Sequence, residues 1–258
     1  MTAGGLLDDM TWPEVARAAE AGLPAVVAIG STEQHGPHLP LATDCILPVG
    51  VALETAKRYP LVIAPPLRFG MRSRALSGGG ESFPGTLSLR AGTLIAVLQE
   101  VLCGLARTGF DRLCVQNWHF ENAGVLWEAC DLAAAEHPAI KILLVEDPMP
   151  DFSDAELEEL FPGGFRGWDV EHASTMETAL MYAVRPDLVR VDRIVDDAAR
   201  RHPRWDVLPA PDEFVPASGV LAQPSMATPE IGARFLQATA DRLEEALTTE
   251  FGPPGAKP

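Results

Sequence analysis

Pro24-Ala-Val-Val-Ala-Ile-Gly-Ser-Thr-Glu-Gln-His-Gly-Pro-His-Leu-Pro-Leu-Ala-Thr-Asp44 joins a short apolar run to a polar loop, and that junction decides the architecture. Residues 24–30 are apolar and rich in β-branched side chains, which predicts a buried strand. In open α/β sheets, ligands bind beyond the carboxyl ends of strands. The loop that follows packs Glu33, His35, His38 and Asp44 into one segment shaped by Gly36, Pro37 and Pro40.

Imidazole and carboxylate donors without thiolate suit Zn²⁺, Mn²⁺ or Fe²⁺, and several carboxylates argue against a closed structural zinc site. An aspartate can give one oxygen to each of two ions, so this loop can begin a two-metal centre. Solvated polar side chains are the ordinary alternative for one such loop. A second cluster weighs against it: the strand-like run Asp111-Arg-Leu-Cys-Val-Gln-Asn117 leads directly into Trp118-His-Phe-Glu-Asn122. Residues two apart in an extended segment point the same way, so His119 and Glu121 can face one point in space.

Strands expected near 24–30, 61–66, 112–117 and 140–146 alternate with helices expected at 45–58, 92–108, 122–136, 154–161, 171–184 and 228–250. A first helix opens at Thr11-Trp-Pro13 and runs to about Ala21, with proline where an early N–H needs no partner. The last helix follows Thr228-Pro-Glu230, a capping residue and then proline, and stops before Gly252-Pro-Pro254. The pattern predicts an α/β fold with a largely parallel central sheet, built as one domain over residues 1–258.

Two motif pairs bring a family into view. Glu33-Gln-His-Gly-Pro-His-Leu-Pro-Leu-Ala-Thr-Asp44 and Asn117-Trp-His-Phe-Glu-Asn122 resemble the two signatures of the creatininase (creatinine amidohydrolase) family. Ser77-Gly-Gly-Gly-Glu-Ser-Phe-Pro-Gly-Thr86 and Gly164-Phe-Arg-Gly-Trp-Asp-Val-Glu-His172, continuing into Met176-Glu-Thr-Ala-Leu180, are similar to further stretches of creatinine amidohydrolases proper. The resemblance implies a creatininase-like three-layer α/β sandwich and two divalent ions per subunit, Zn and/or Mn. It implies Glu33 and His119 on one ion, His35 and Glu121 on the other, and Asp44 bridging. It further implies His172 as catalytic residue with Glu171 beside it, and Ser77, Phe120, Trp168 and Asp169 facing the substrate. The implied partner is a small cyclic amide, creatinine first, and the implied assembly is a homo-oligomer, commonly a hexamer.

The departures fall on the pocket. Creatinine amidohydrolases carry an extra tryptophan on the loop ahead of the Gly-Gly-Phe segment; here Glu146-Asp-Pro-Met-Pro-Asp-Phe152 has none. Phe120 stands where those enzymes carry tyrosine. Such changes bear on substrate choice more than on reaction type, and another small lactam or a formamide is the alternative substrate. A metal-stabilised oligomer without turnover is the reading from a different class, and His172 argues against it, because binding alone needs no proton carrier. His38 reads as shaping its loop, and Glu177 as an acceptor behind the site or an alternative ligand.

The 258 residues carry a net charge of −16, which sets the chain against a nucleic-acid partner. No apolar run approaches a membrane span, and the amino terminus lacks a signal-peptide pattern, so the expected location is the cytoplasm. Cys45, Cys103, Cys114 and Cys130 show no CxxC spacing and read as buried free thiols. Gly78-Gly-Gly80 lacks the motifs of a phosphate cradle and reads as a flexible wall over the metals. The proline-bearing stretch 187–227 reads as a site cover or an oligomer contact. Trp12, Trp127 and Trp205 are assigned to core or interface packing.

Overall fold

The computed structural model describes residues 4–198, 205, 207–211 and 214–254. Five parallel strands form one sheet in the order β1-β3-β2-β4-β5: β1 Gly5–Leu6, β2 Ala25–Ile29, β3 Val62–Ile63, β4 Arg112–Asn117 and β5 Lys141–Val145. Among the described residues, seven α-helices cover it: α1 Trp12–Glu20, α2 Thr43–Ala56, α3 Ala91–Arg107, α4 Ala123–Glu136, α5 Asp154–Leu160, α6 Thr175–Val184 and α7 Pro229–Phe251. The expected three-layer α/β sandwich with a parallel sheet is what the chain forms.

The two-residue period of the strands sorts side chains between two cores. Val26, Ile63 and Cys114 face a cluster built with Leu47 and Val51 of α2, Leu180 of α6 and Phe235 and Leu243 of α7. Ala25, Val27, Ile29, Leu113 and Val115 face the other, built with Leu94, Leu98 and Leu102 of α3 and Leu126 and Ala129 of α4. Three layers result. All four cysteines are buried and free.

Boundaries moved where local chemistry overrode the pattern. The expected strand 61–66 shrinks to two residues because Pro65 and Pro66 have no N–H for the ladder. β1 was too short to show a pattern, and it forms by pairing with β3. The helix expected from 171 begins at Thr175: Ala173 sits at φ 51, outside helical space, and Ser174 is extended as the N-cap. His172 is therefore placed by a loop. Trp12, Trp127 and Trp205 are exposed rather than in the core. Parts of the 187–227 stretch (199–204, 206 and 212–213) lie outside the described residues.

The register pairs Ile29 with Asn117, so the loops leaving β2 and β4 depart side by side. Trp118 N continues the ladder by donating to Ile29 O at 2.9 Å. The start of α2 folds back onto the same point. A Cβ on Gly30 would lie 2.2 Å from Asp44 O, so glycine is required for that approach. Pro48 cannot donate to the Asp44 carbonyl one turn earlier, and its ring weakens the helix at its first turn. Gly30→Ala is expected to destabilise the fold by about 1–3 kcal/mol through forced separation of β2 and α2. Thermal unfolding checks the loss, and an unchanged transition would show that the approach is not required.

Candidate metal centre

Two asparagines tie the strand ends together beneath the site. Asn117 Nδ2 donates to His119 O at 2.9 Å and to Glu146 O, past the end of β5, at 3.1 Å. Asn122 Nδ2 donates to Gly30 O and Asn117 Oδ1, each at 3.2 Å, while its Oδ1 accepts from Met71 N at 2.8 Å. These bonds fix the β2, β4 and β5 exits and the segment around Gly70 relative to one another.

On this base sit Glu33, His35, Asp44 and His119, none more than 3% exposed. His35 Nδ1 donates to Glu33 O at 3.2 Å, which leaves Nε2 directed at Asp44 Oδ1, 2.9 Å away. His119 Nε2 donates to Met71 O at 3.0 Å, which leaves Nδ1 facing Glu33 Oε1 at 2.9 Å and Asp44 Oδ2 at 3.3 Å. In each ring a backbone carbonyl takes the N–H of the rear nitrogen, so the nitrogen turned towards Asp44 is the one that holds either the second proton or a cation. His35 Nε2 and Asp44 Oδ2 are fully buried and make no hydrogen bond of acceptable geometry. Imidazole and carboxylate atoms converging in one buried volume need a positive charge between them, a proton or a cation, so the donor set fits divalent metal.

The donor atoms form trios. Glu33, Asp44 and His119 converge as one, and His35, Asp44 and Glu177 as another, with Asp44 common to both. Glu177, on the first turn of α6, places Oε1 3.6 Å from His35 Nε2. Glu121 stands elsewhere: its Oε2 is 3.4 Å from His119 Nε2, and its Oε1 accepts from Ser77 Oγ and from Arg74 N. The carboxylates near His35 Nε2 are thus Asp44 and Glu177, while Glu121, expected with His35, lies beside His119. Glu33 Oε2 accepts from Ser73 Oγ, a contact with no local sequence signal because Ser73 comes from a separate loop.

Charge in this volume is strongly coupled. Burial alone lifts the Glu33 carboxyl, but the neighbouring His119, His172 and His35 pull it well below its ordinary range. Burial works against protonated His35 and His119, yet the carboxylates around them, Asp44 and Glu177 for one and Glu33, Asp44 and Glu121 for the other, hold both far above the usual histidine range. In the metal-free protein, protons occupy the places that cations would take. His38 behaves differently. It is buried against α6, with Nε2 2.9 Å from Thr178 Oγ1, and burial together with His35 lowers it to about 4. It shapes the loop.

His172 converges with Glu33 and His35 in a further trio, its side chain 10% exposed, Nδ1 4.0 Å from Glu33 Oε1 and its ring 4.5 Å from that of His35. Glu171 beside it is buried and accepts from Met176 N at 3.0 Å; burial, and then the charge of Glu177, push it up to about 8. A cavity of about 360 Å³ opens above, walled by Trp168, Asp169, Phe120, Ser77 and Met149. All four expected substrate-facing residues line it. Trp168 is braced by Phe165, Phe161 and Phe152 at ring distances of 4.7, 5.9 and 6.2 Å. Phe120 is 66% exposed at the rim, and Met149 is buried in the wall on the loop that lacks tryptophan.

Comparison with known proteins gives a consistent picture. Residues 8–247 match the family model described as Creatininase: Creatinine amidohydrolase. The chain is 36% identical over 265 residues to creatinine amidohydrolase of Pseudomonas putida, covering 98% of this chain and all of that one. It is 29% identical over 259 residues to the mycofactocin precursor peptide peptidase of Mycobacterium ulcerans, covering 95% and 89%. The solved structure of a manganese form of creatininase superimposes with a TM-score of 0.91 at 35% identity, covering 97% of this chain and 100% of that one.

Metal loading at pH 7 is expected to expel roughly one to two protons per subunit, because His35 and His119 are protonated without metal and must be neutral as ligands. Affinity should accordingly rise as pH rises. Calorimetric titration with Mn²⁺ in buffers of different ionisation enthalpy measures the release, and a buffer-independent heat would contradict this charge assignment.

Proposed function

The chain belongs to the creatininase family of metal-dependent hydrolases, and from that premise we propose that it opens a cyclic amide at a two-metal centre, with creatinine to creatine as the leading reaction. The observation that carries this reading is the shared carboxylate. Asp44 lies 2.9 Å from His35 Nε2 through one oxygen and 3.3 Å from His119 Nδ1 through the other, beneath His172 at the cavity floor. Glu33 and His119 would hold one ion and His35 the other, with Asp44 bridging. Glu177 stands 3.6 Å from His35 Nε2 and can join the second set, and Glu121, implied there by the family resemblance, accepts from Ser77 through Oε1. The donor set accepts Zn²⁺ or Mn²⁺. When bound, such a pair lowers the pKa of water towards neutrality and polarises a carbonyl.

The protein's own side chains supply the rest. Water adds to the carbonyl carbon, the ring C–N bond breaks, and a proton must reach the departing nitrogen. His172 is placed for that delivery, facing both the trios and the cavity. Glu171, pushed up to about 8, retains a proton at neutral pH and adds no negative charge beside the acidic cluster. Trp168 offers a braced face to a flat, guanidinium-like ring, an attraction of roughly 0.5–2 kcal/mol. Phe120 and Met149 provide apolar wall.

Those two residues also support a second reading, hydrolysis of another small lactam or a formamide. Neither offers a hydrogen-bonding group where a tyrosine and a tryptophan serve creatinine enzymes, and a peptide-cleaving relative shares the family. We further infer a homo-oligomer, hexameric by family resemblance, consistent with Trp12 and Trp127 exposed on the single chain.

Turnover of creatinine by Mn²⁺- or Zn²⁺-loaded protein, beside hydantoins, lactams and formamides, tests the proposal. His172→Ala is expected to lower kcat by roughly 10²–10⁴-fold with both metals retained. Asp44→Asn is expected to lose metal and activity together. Full activity in either variant would remove that residue from the mechanism, and turnover of a lactam or formamide without creatinine would select the second reading.

A further inference from the structure

Gln34 lies between two candidate ligands, is 4% exposed, and has no part in the metal trios. Its amide is pinned at both ends. Gly36 N donates to Oε1 at 2.8 Å, and Nε2 donates to Gly78 O at 2.8 Å and Gly219 O at 2.9 Å, which fixes which end is nitrogen. His172 Nε2 lies 2.8 Å from that same nitrogen. The two hydrogens of that NH₂ are shared among three acceptors, and the amide nitrogen has no usable lone pair, so His172 Nε2 can face it only as one of those acceptors.

The proton of a neutral His172 ring then sits on Nδ1, the nitrogen that looks towards Glu33 Oε1. We propose that Gln34 is a positioning residue that holds the His172 ring with Nε2 turned out of the cavity and Nδ1–H turned into it, so that Nδ1 is the nitrogen presented to the reacting amide. The proposal rests on the reading of His172 as the group serving the departing nitrogen.

Packing leaves this arrangement little freedom. A Cβ on Gly78 would lie 2.5 Å from His172 Cδ2, and one on Gly219 would lie 1.9 Å from Gln34 Oε1; both glycines have positive φ, 118° and 73°. Leu221 N donates to His172 O at 3.2 Å, which ties the histidine backbone to the same cover segment that supplies Gly219 O. One side chain thus joins the metal loop, the glycine wall and the cover, and all three meet on the imidazole.

The test reads the tautomer directly. Solid-state ¹⁵N spectra are recorded on Zn²⁺-loaded protein carrying labelled histidine, with His172→Ala to assign the resonance. His172 Nε2 is expected to be unprotonated in the wild type. In Gln34→Glu the carboxylate accepts instead of donating, so the proton should move to Nε2. That variant should keep its metal and its KM within about threefold, while kcat falls on the order of 10²-fold. A protonated Nε2 in the wild type overturns the assignment, as does a Gln34→Glu enzyme with full kcat. Should the variant fail to fold, the wild-type spectrum alone decides. The spectrum needs no substrate, so a wild type that turns over none of the cyclic amides overturns the functional reading and leaves the placement of Nδ1 to be judged by itself.

Discussion

Five carboxylates in one buried volume are the constraint on which the rest of the structure depends. Glu33, Asp44, Glu171 and Glu177 are each at most 6% exposed, and the side chain of Glu121 is equally covered. Desolvating even one unpaired carboxylate is costly, and several side by side repel one another. The fold admits the group only by supplying positive charge to its centre, as His35 and His119 protonated or as metal. It also sets Glu171 apart, where it keeps its proton. Affinity for cations is therefore a property of the folded chain and a condition of its stability at once.

The parallel sheet makes the concentration possible. The register that aligns Ile29 with Asn117 brings two strand exits to one edge, and Asn117 and Asn122 lock those exits with amide hydrogen bonds. Gly30 lets the first turn of α2 come close enough to deliver Asp44. At the opposite side of the site, Ala173 takes a left-handed backbone conformation and its N–H donates to Glu177 Oε2 at 2.6 Å. Strain in a buried alanine next to His172 is the kind of local cost that active sites carry. It ends the loop abruptly, so that the histidine and the first turn of α6 both point into the same volume.

How much of this was legible in the sequence depends on the range of the contacts involved. The alternation of apolar runs and amphipathic helices exposed the parallel sandwich, and HxE after a strand exposed His119 and Glu121 as neighbours, because those signals are local. The approach of Glu177 to His35 was not legible, since it is made by a loop and a helix 142 residues apart in sequence meeting across the site. Gln34 was read only as part of a motif; its partners, Gly78, His172 and Gly219, come from three distant segments. β1 was obscured for the opposite reason, being too short for any period to register, whereas β3 was expected at 61–66 and only its length was misjudged.

The aromatic brace behind Trp168 has a consequence of its own. Phe152 and Phe161 touch Trp168 on one side and Phe235 of α7 on the other, at ring distances of 5.7 and 5.6 Å. The cavity wall is thus mechanically continuous with the long last helix, whereas the carboxylate floor is anchored to the strand exits by Asn117 and Asn122. Wall and floor are separate structural units. Exchanges among the wall residues can reshape what the cavity admits while the floor keeps its donors in place, so a lineage built on this scaffold can change its diet without relearning its chemistry.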